Sequence, residues 1–114
     1  MLSQKYSIDH VRENLVSREA WHPYPTRDER DEWEKIPEDV RQAFIKKGDA
    51  CLDFRWEPFR ATLFLEMAKT GSRALYGRHR QGHRNALNAL VMAECVEGKG
   101  RYLNDIIDGV WAHC

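Results

Sequence analysis

Arg101-Tyr102-Leu103-Asn104-Asp105-Ile106-Ile107-Asp108-Gly109-Val110-Trp111-Ala112-His113-Cys114 is the stretch on which the fold turns. Apolar side chains stand at Tyr102, Leu103, Ile106, Ile107, Val110, Trp111 and Cys114. That i, i+1, i+4, i+5 spacing gathers them on one side of a helix. A stripe so wide needs a partner surface, so this helix is one of several packed together. It reaches Cys114 without the Gly, Asn or Pro that ordinarily closes a helix. The expectation is a segment of a longer helical array, with apolar flanks shaped to meet neighbours.

Toward the N-terminus, Gly98-Lys99-Gly100 is a tight turn into that last helix. Ala86 to Val96 is apolar almost all round, as expected of a helix enclosed on most sides. This helix starts near Ser72, with an interruption expected around Gly77 or Gly82. Ala61, Leu63, Phe64, Met67 and Ala68 define another helix, stopped by Thr70-Gly71. A break at Trp56-Glu57-Pro58 separates it from a helix opened by Pro37. Val40, Phe44, Cys51 and Phe54 mark one face of that helix, and Gly48 is a local weakness of about 1 kcal/mol.

Thr26-Arg27-Asp28-Glu29 has the form of a capping box, in which hydroxyl and carboxylate each accept from an orphan N–H. The helix it opens places Arg30 with Glu34 and Asp31 with Lys35 at i,i+4, and buries Trp33 and Ile36. Ser7 caps a short first helix reaching about Val16, with Ile8, Val11 and Leu15 on one side. No segment alternates with period two. The chain therefore reads as all-α, a helical-hairpin array of about five or six helices in a single domain over residues 1–114.

The 114 residues are 42% hydrophobic and 32% charged, with zero formal net charge, which offers no electrostatic case for nucleic acid or anionic lipid. No apolar run is long enough to span a membrane, and the N-terminus lacks a leader's apolar core. Three widely spaced cysteines argue against a disulfide framework or a thiolate zinc site, and Cys51 and Cys95 are expected in the core.

Glu94 and Glu97 lie on apolar helical faces, where a carboxylate must be paired. They are assigned to structure, tying helices together through Arg101. His79 and His83 have the i,i+4 spacing of a zincin pair, but position 80 is Arg rather than the metal-protease pattern's Glu. No metal or other cofactor is expected. Arg73, Arg78, Arg80 and Arg84 surround the histidines; a solvated face is the plain account, an acidic ligand the functional one. Trp21-His22-Pro23-Tyr24 places aromatic surface on a stiff loop suited to stacking on sugars or to plugging a gap between helices. No nucleophile arrangement or phosphate loop is present.

Trp21-His22-Pro23-Tyr24-Pro25-Thr26-Arg27, continuing to Trp33-Glu34-Lys35-Ile36-Pro37, resembles the opening of bacterial heparinase II/III-like proteins. So does Ala93-Glu94-Cys95-Val96-Glu97-Gly98-Lys99-Gly100-Arg101-Tyr102-Leu103, running on to Ile107 and Trp111. Between them Ala61–Glu66 and Thr70–Arg73 follow the same order, so the resemblance covers about residues 15–114. It implies the N-terminal portion of an incomplete α/α toroid in a polysaccharide lyase, one that cleaves uronate-containing glycans by β-elimination. The implied catalytic groups lie outside these residues, so none is carried over and the chain alone is expected to be inactive. Trp21, His22, Tyr24 and Arg27 are the expected wall contacts to an acidic polysaccharide. The resemblance places the parent in the periplasm or outside the cell if it is exported. The rival reading is a stand-alone helical protein-interaction module. Self-association through the open Tyr102–Trp111 stripe is expected of the toroid segment, and a stable monomer without glycan affinity of the module.

Overall fold

The computed structural model describes residues 5–114. Among these, six α-helices follow one another: α1 (Ile8–Asn14), α2 (Arg30–Glu34), α3 (Glu38–Asp49), α4 (Ala61–Thr70), α5 (Ala74–Glu97) and α6 (Leu103–Trp111). No strand occurs among the described residues, so the chain is all-α. The central element is α5, 24 residues long, or about 36 Å. Helices α2, α3, α4 and α6 all pack on it, α3 most extensively. No helix is long and apolar enough to cross a membrane.

The local chemistry explains most boundaries. The Ser7 hydroxyl accepts the His10 N–H at 3.1 Å and Asp9 sits in the first turn, so α1 begins where its cap dictates. It ends at Asn14, short of the expected Val16, and buries no residue. Helix α4 closes on Gly71 and α5 on Gly98, both in the left-handed conformation glycine tolerates, at φ 70° and 71°. Gly77 and Gly82 do not interrupt α5. A helical glycine costs about 1 kcal/mol but keeps its hydrogen bond, so a long packed helix absorbs it.

Three local expectations are corrected. The capping box forms only by half: the Glu29 carboxylate accepts the Thr26 N–H at 2.6 Å, but the Thr26 hydroxyl donates to that same carboxylate at 2.8 Å. Helix α2 consequently starts at Arg30, with Glu29 in the cap position. The i,i+4 pairs of α2 are also unmade. Lys35 bonds Glu32, and Arg30 leaves its helix for the end of α5. Finally, α3 stops at Asp49, so Cys51 and Phe54 belong to the turn after it. There Asp53 takes φ 58°, and Asp105 accepts its N–H at 2.9 Å.

The core is small. Leu90, Ala93 and Tyr102 are fully enclosed, with Cys51, Leu52, Trp56 and Ile106 packed against them. Gly48 is what allows it. A methyl group there would overlap the Ala93 methyl and lie 3.1 Å from the Tyr102 ring. The residue read as a weakness is therefore the point of closest approach between α3 and α5. The Tyr102 hydroxyl donates to the Asp49 carboxylate at 2.7 Å, which closes α3 against the start of α6. Cys51 and Cys95 are half-buried rather than enclosed, and both thiols are pushed up chiefly by burial.

The stripe of α6 divides. Tyr102, Ile106 and Gly109 turn inward, whereas Leu103, Ile107, Val110 and Trp111 are open to solvent, Trp111 to 83%. Helix α5 is enclosed on one side only: Ala86, Leu90, Ala93 and Val96 are buried while Val91 is exposed. The Cα radius of gyration is 19.7 Å, against roughly 13 Å for a compact domain of this length.

Gly48→Ala is expected to lower stability by about 1–2 kcal/mol, because overpacking outweighs the gain in helix propensity. Gly77→Ala, whose methyl group would meet nothing within 4 Å, is expected to raise it by about 0.5–1 kcal/mol. Urea titrations of the two variants check the opposed signs.

Candidate functional site

Two places gather chemistry-bearing side chains. The first lies where the 21–30 segment meets the end of α5. Glu94 is 2% exposed. Its carboxylate accepts Arg27 Nε at 2.7 Å and the Gly100 N–H at 2.8 Å, with the Tyr102 N–H at 3.4 Å. Arg27 also donates from Nη2 to the Gly98 carbonyl at 3.0 Å and from Nη1 to Asp28 at 3.2 Å. The hydrogen bond and charge of Glu94 raise the Arg27 guanidinium above its ordinary value, against partial desolvation. Arg30 completes the clasp, donating from Nη1 to Cys95 O at 2.6 Å and from Nη2 to Val96 O at 2.8 Å. These carbonyls belong to the last turn of α5, which has no helical donors left for them and favours a cation. A methyl group on Gly98 would lie 2.7 Å from that guanidinium. Trp33 is buried beside the clasp, its indole N–H donating to Thr26 O at 2.7 Å.

Glu94 is thus a structural carboxylate, as expected, but its cation is Arg27. Arg101 serves Glu97 and Asp49 instead, at 2.6 Å each, and lies over the Tyr102 ring at 4.3 Å. The hydrogen bond from Tyr102, then that from Arg101, holds the Asp49 carboxyl below its ordinary value.

Of the four proposed wall residues, Trp21 and Tyr24 are exposed, at 61% and 78%, and His22 is exposed as well. Neither ring of the two aromatics plugs a gap between helices. Tyr24 borders an open groove of about 790 Å³ with Trp33, Ile36, Phe44, Val91 and Met92. Arg27 is placed beneath this segment with its donors engaged by Glu94, Gly98 and Asp28. Sequence reasoning did not find Arg30, and no local spacing could, since its acceptors lie 65 and 66 residues away.

The second place is the junction of α5, α6 and the 54–59 turn. His83 is 2% exposed, with Phe54, Trp56 and Phe59 edge-on at 5.8, 5.3 and 5.0 Å. His79 and His113 stand 4.6 and 5.6 Å away by ring centroid. His83 Nδ1 and Trp56 Nε1 are buried without a protein partner. Burial first, then the neighbouring histidines, lowers the His83 pKa. An open cleft of about 1010 Å³ adjoins this cluster, bordered by Trp56, Phe59, Tyr76, Arg80, Trp111 and His113. Among the described residues no three His, Cys, Asp or Glu converge as metal ligands. The lining offers stacking surfaces together with the Arg80 guanidinium, the Asp108 carboxylate and the His113 ring.

No protein-family model matches the chain, and no curated protein matches it significantly.

Arg27→Ala strands the buried Glu94 carboxylate and is expected to cost about 3 kcal/mol in a denaturant titration. His83 supplies a pH dependence. Its neutral form is favoured in the fold, so the unfolded chain takes up the proton first. Stability is expected to be level above the unfolded value of about 6.5 and to decline as pH falls below it, by at most about 1.4 kcal/mol per pH unit. Unfolding midpoints measured from pH 8 to 5 should show this slope, and His83→Gln should flatten it.

Proposed function

We propose that the chain is a scaffold segment of a polysaccharide lyase of heparinase II/III type. It forms the opening helical hairpins of an α/α toroid and one wall of a cleft for uronate-containing glycans. The elimination chemistry belongs to groups outside these residues. The observation carrying this reading is the clasp: the two stretches that bear the resemblance, 21–37 and 93–103, meet through Arg27, Arg30 and Glu94. The two stretches thus serve one junction in the fold. The uncovered faces of α5 and α6 add support, since toroid hairpins bury such faces against successive hairpins. On this reading Trp21 and Tyr24 offer stacking faces to sugar rings, His22 a polar edge, and Arg27 holds their segment in place.

The same open apolar faces favour a second reading, a helical module that binds a partner protein without enzymatic activity. Binding measurements separate the two. The chain should be retained on immobilised uronate polymers such as heparin, alginate or hyaluronan, without generating unsaturated product. Trp21→Ala and Tyr24→Ala should each weaken retention about tenfold, equivalent to about 1.4 kcal/mol per ring. Failure to bind any uronate polymer, or retention indifferent to both substitutions, would leave the module reading in its place.

A further inference from the structure

Lys69, Arg73, Arg78, Arg80 and Arg84 lie in a stretch, 67–93, that contains no Asp or Glu. Among the described residues none of these five cations takes part in an ion pair. Arg73, Arg80 and Arg84 are exposed, and their spacing of seven and four sets them along one face of α5. Arg73 stands at the N-cap of α5, where the macrodipole is positive, and the first turn carries no acid to offset it. The like charges repel one another along this face, and an anionic partner relieves that repulsion.

The chain carries the complement. Residues 28–39 hold seven carboxylates against Arg30 and Lys35, an excess of five negative charges that equals the positive excess of 67–93. Arg30 points away from solvent onto the α5 carbonyls, which leaves the outer surface more acidic still. Asp31, Glu34 and Asp39 are exposed, and none of them is ion-paired. This ridge sits against the C-terminal end of α5, where Arg30 meets Val96 O. From Arg80 to Val96 is about 24 Å along the helix, beyond the roughly 10 Å over which exposed charges act at 0.1 M salt. The two surfaces cannot neutralise each other within one molecule.

We propose that the Arg73–Arg80–Arg84 face of one copy docks on the Asp31–Glu34–Asp39 ridge of a second copy, head to tail. Such a contact is heterologous, so repetition gives chains, or rings where the rotation closes. It stands independently of the glycan reading: loss of uronate binding would leave it untouched.

Sedimentation velocity tests it. At low ionic strength the weight-average mass should rise with concentration to at least twice the 13.4 kDa of one chain. It should return to that of one chain near 1 M salt, where screening acts within roughly 3 Å. The triple variants Arg73→Glu/Arg80→Glu/Arg84→Glu and Asp31→Lys/Glu34→Lys/Asp39→Lys should each be monomeric at low salt with unchanged helicity. Mixed in equal amounts, they should associate again with alternating one-to-one composition, because the retained ridge meets the retained basic face and the two reversed faces are complementary as well. A wild-type monomer at every salt concentration overturns the proposal, whether or not an added polyanion is bound. Association that persists at 1 M salt, or in both reversed variants, also overturns it and places the contact on the apolar faces.

Discussion

One buried carboxylate organises this molecule. Glu94 accepts from Arg27, from the Gly100 N–H and at longer range from the Tyr102 N–H, so it ties two separate stretches to α5 at once. Isolated in an apolar interior such a charge would be costly; paired and multiply hydrogen-bonded, it serves as a locating device. The 26–30 segment has little apolar surface to hold it down. It is held instead by Glu94 and by the last carbonyls of α5, which receive the Arg30 guanidinium. The turn 98–100 is fixed by the same contacts, and that turn sets Tyr102 into the core.

From Tyr102 the constraint passes to α3. The ring fills the space left by the missing side chain of Gly48, and its hydroxyl reaches Asp49. Arg101 then covers the ring and joins Asp49 to Glu97. The polar clasp and the small apolar core are therefore consecutive parts of one junction around the last third of α5. The other end of α5 has different anchors. There Gly109 admits the Trp56 ring to α6, and Trp56 in turn walls in His83. Removing side chain volume at Gly48 and Gly109, rather than adding apolar bulk, is what lets helices with few buried residues pack at all.

The sequence was most informative about where helices stop at glycine and which aromatic anchors α2. The stops at Thr70-Gly71 and Gly98 follow from backbone conformations that glycine adopts most readily, and Trp33 was legible as the anchor of α2. Periodicity marked the faces that could be buried but not how many would be. Ile106 and Ile107 have equal claims on the α6 stripe, and only the position of the 51–56 turn decides that Ile106 packs inward. Charge partners were the least legible. Arg30 has Glu34 one turn away, yet it turns to α5, because two carbonyls without helical donors outbid a solvated surface pair. Glu94 was recognisable as a paired carboxylate from its apolar neighbours; the identity of its partner depended on a chain crossing of 67 residues. Of the proposed wall residues, the rings of Trp21 and Tyr24 suited packing between helices as well as exposure, and neither their exposure nor the engagement of Arg27 was legible.

The aromatics that border the two openings fall into two groups, and their placement follows from the same strut. Helix α5 is about 36 Å long, and its partners grip it at two levels. Tyr24 stands with the clasp at the C-terminal level, whereas Tyr76 and Trp111 stand at the other, beside His83. A rigid helix between them keeps both groups at fixed separation without any contact passing from one to the other. The groove at Tyr24 therefore depends on Glu94 and Arg27 for its shape, and the cleft at Trp111 depends on Trp56 and Gly109. A surface assembled in this way can present two independent edges to other structure while committing only a few side chains, chiefly Leu90, Ala93 and Tyr102, to a fully dry interior.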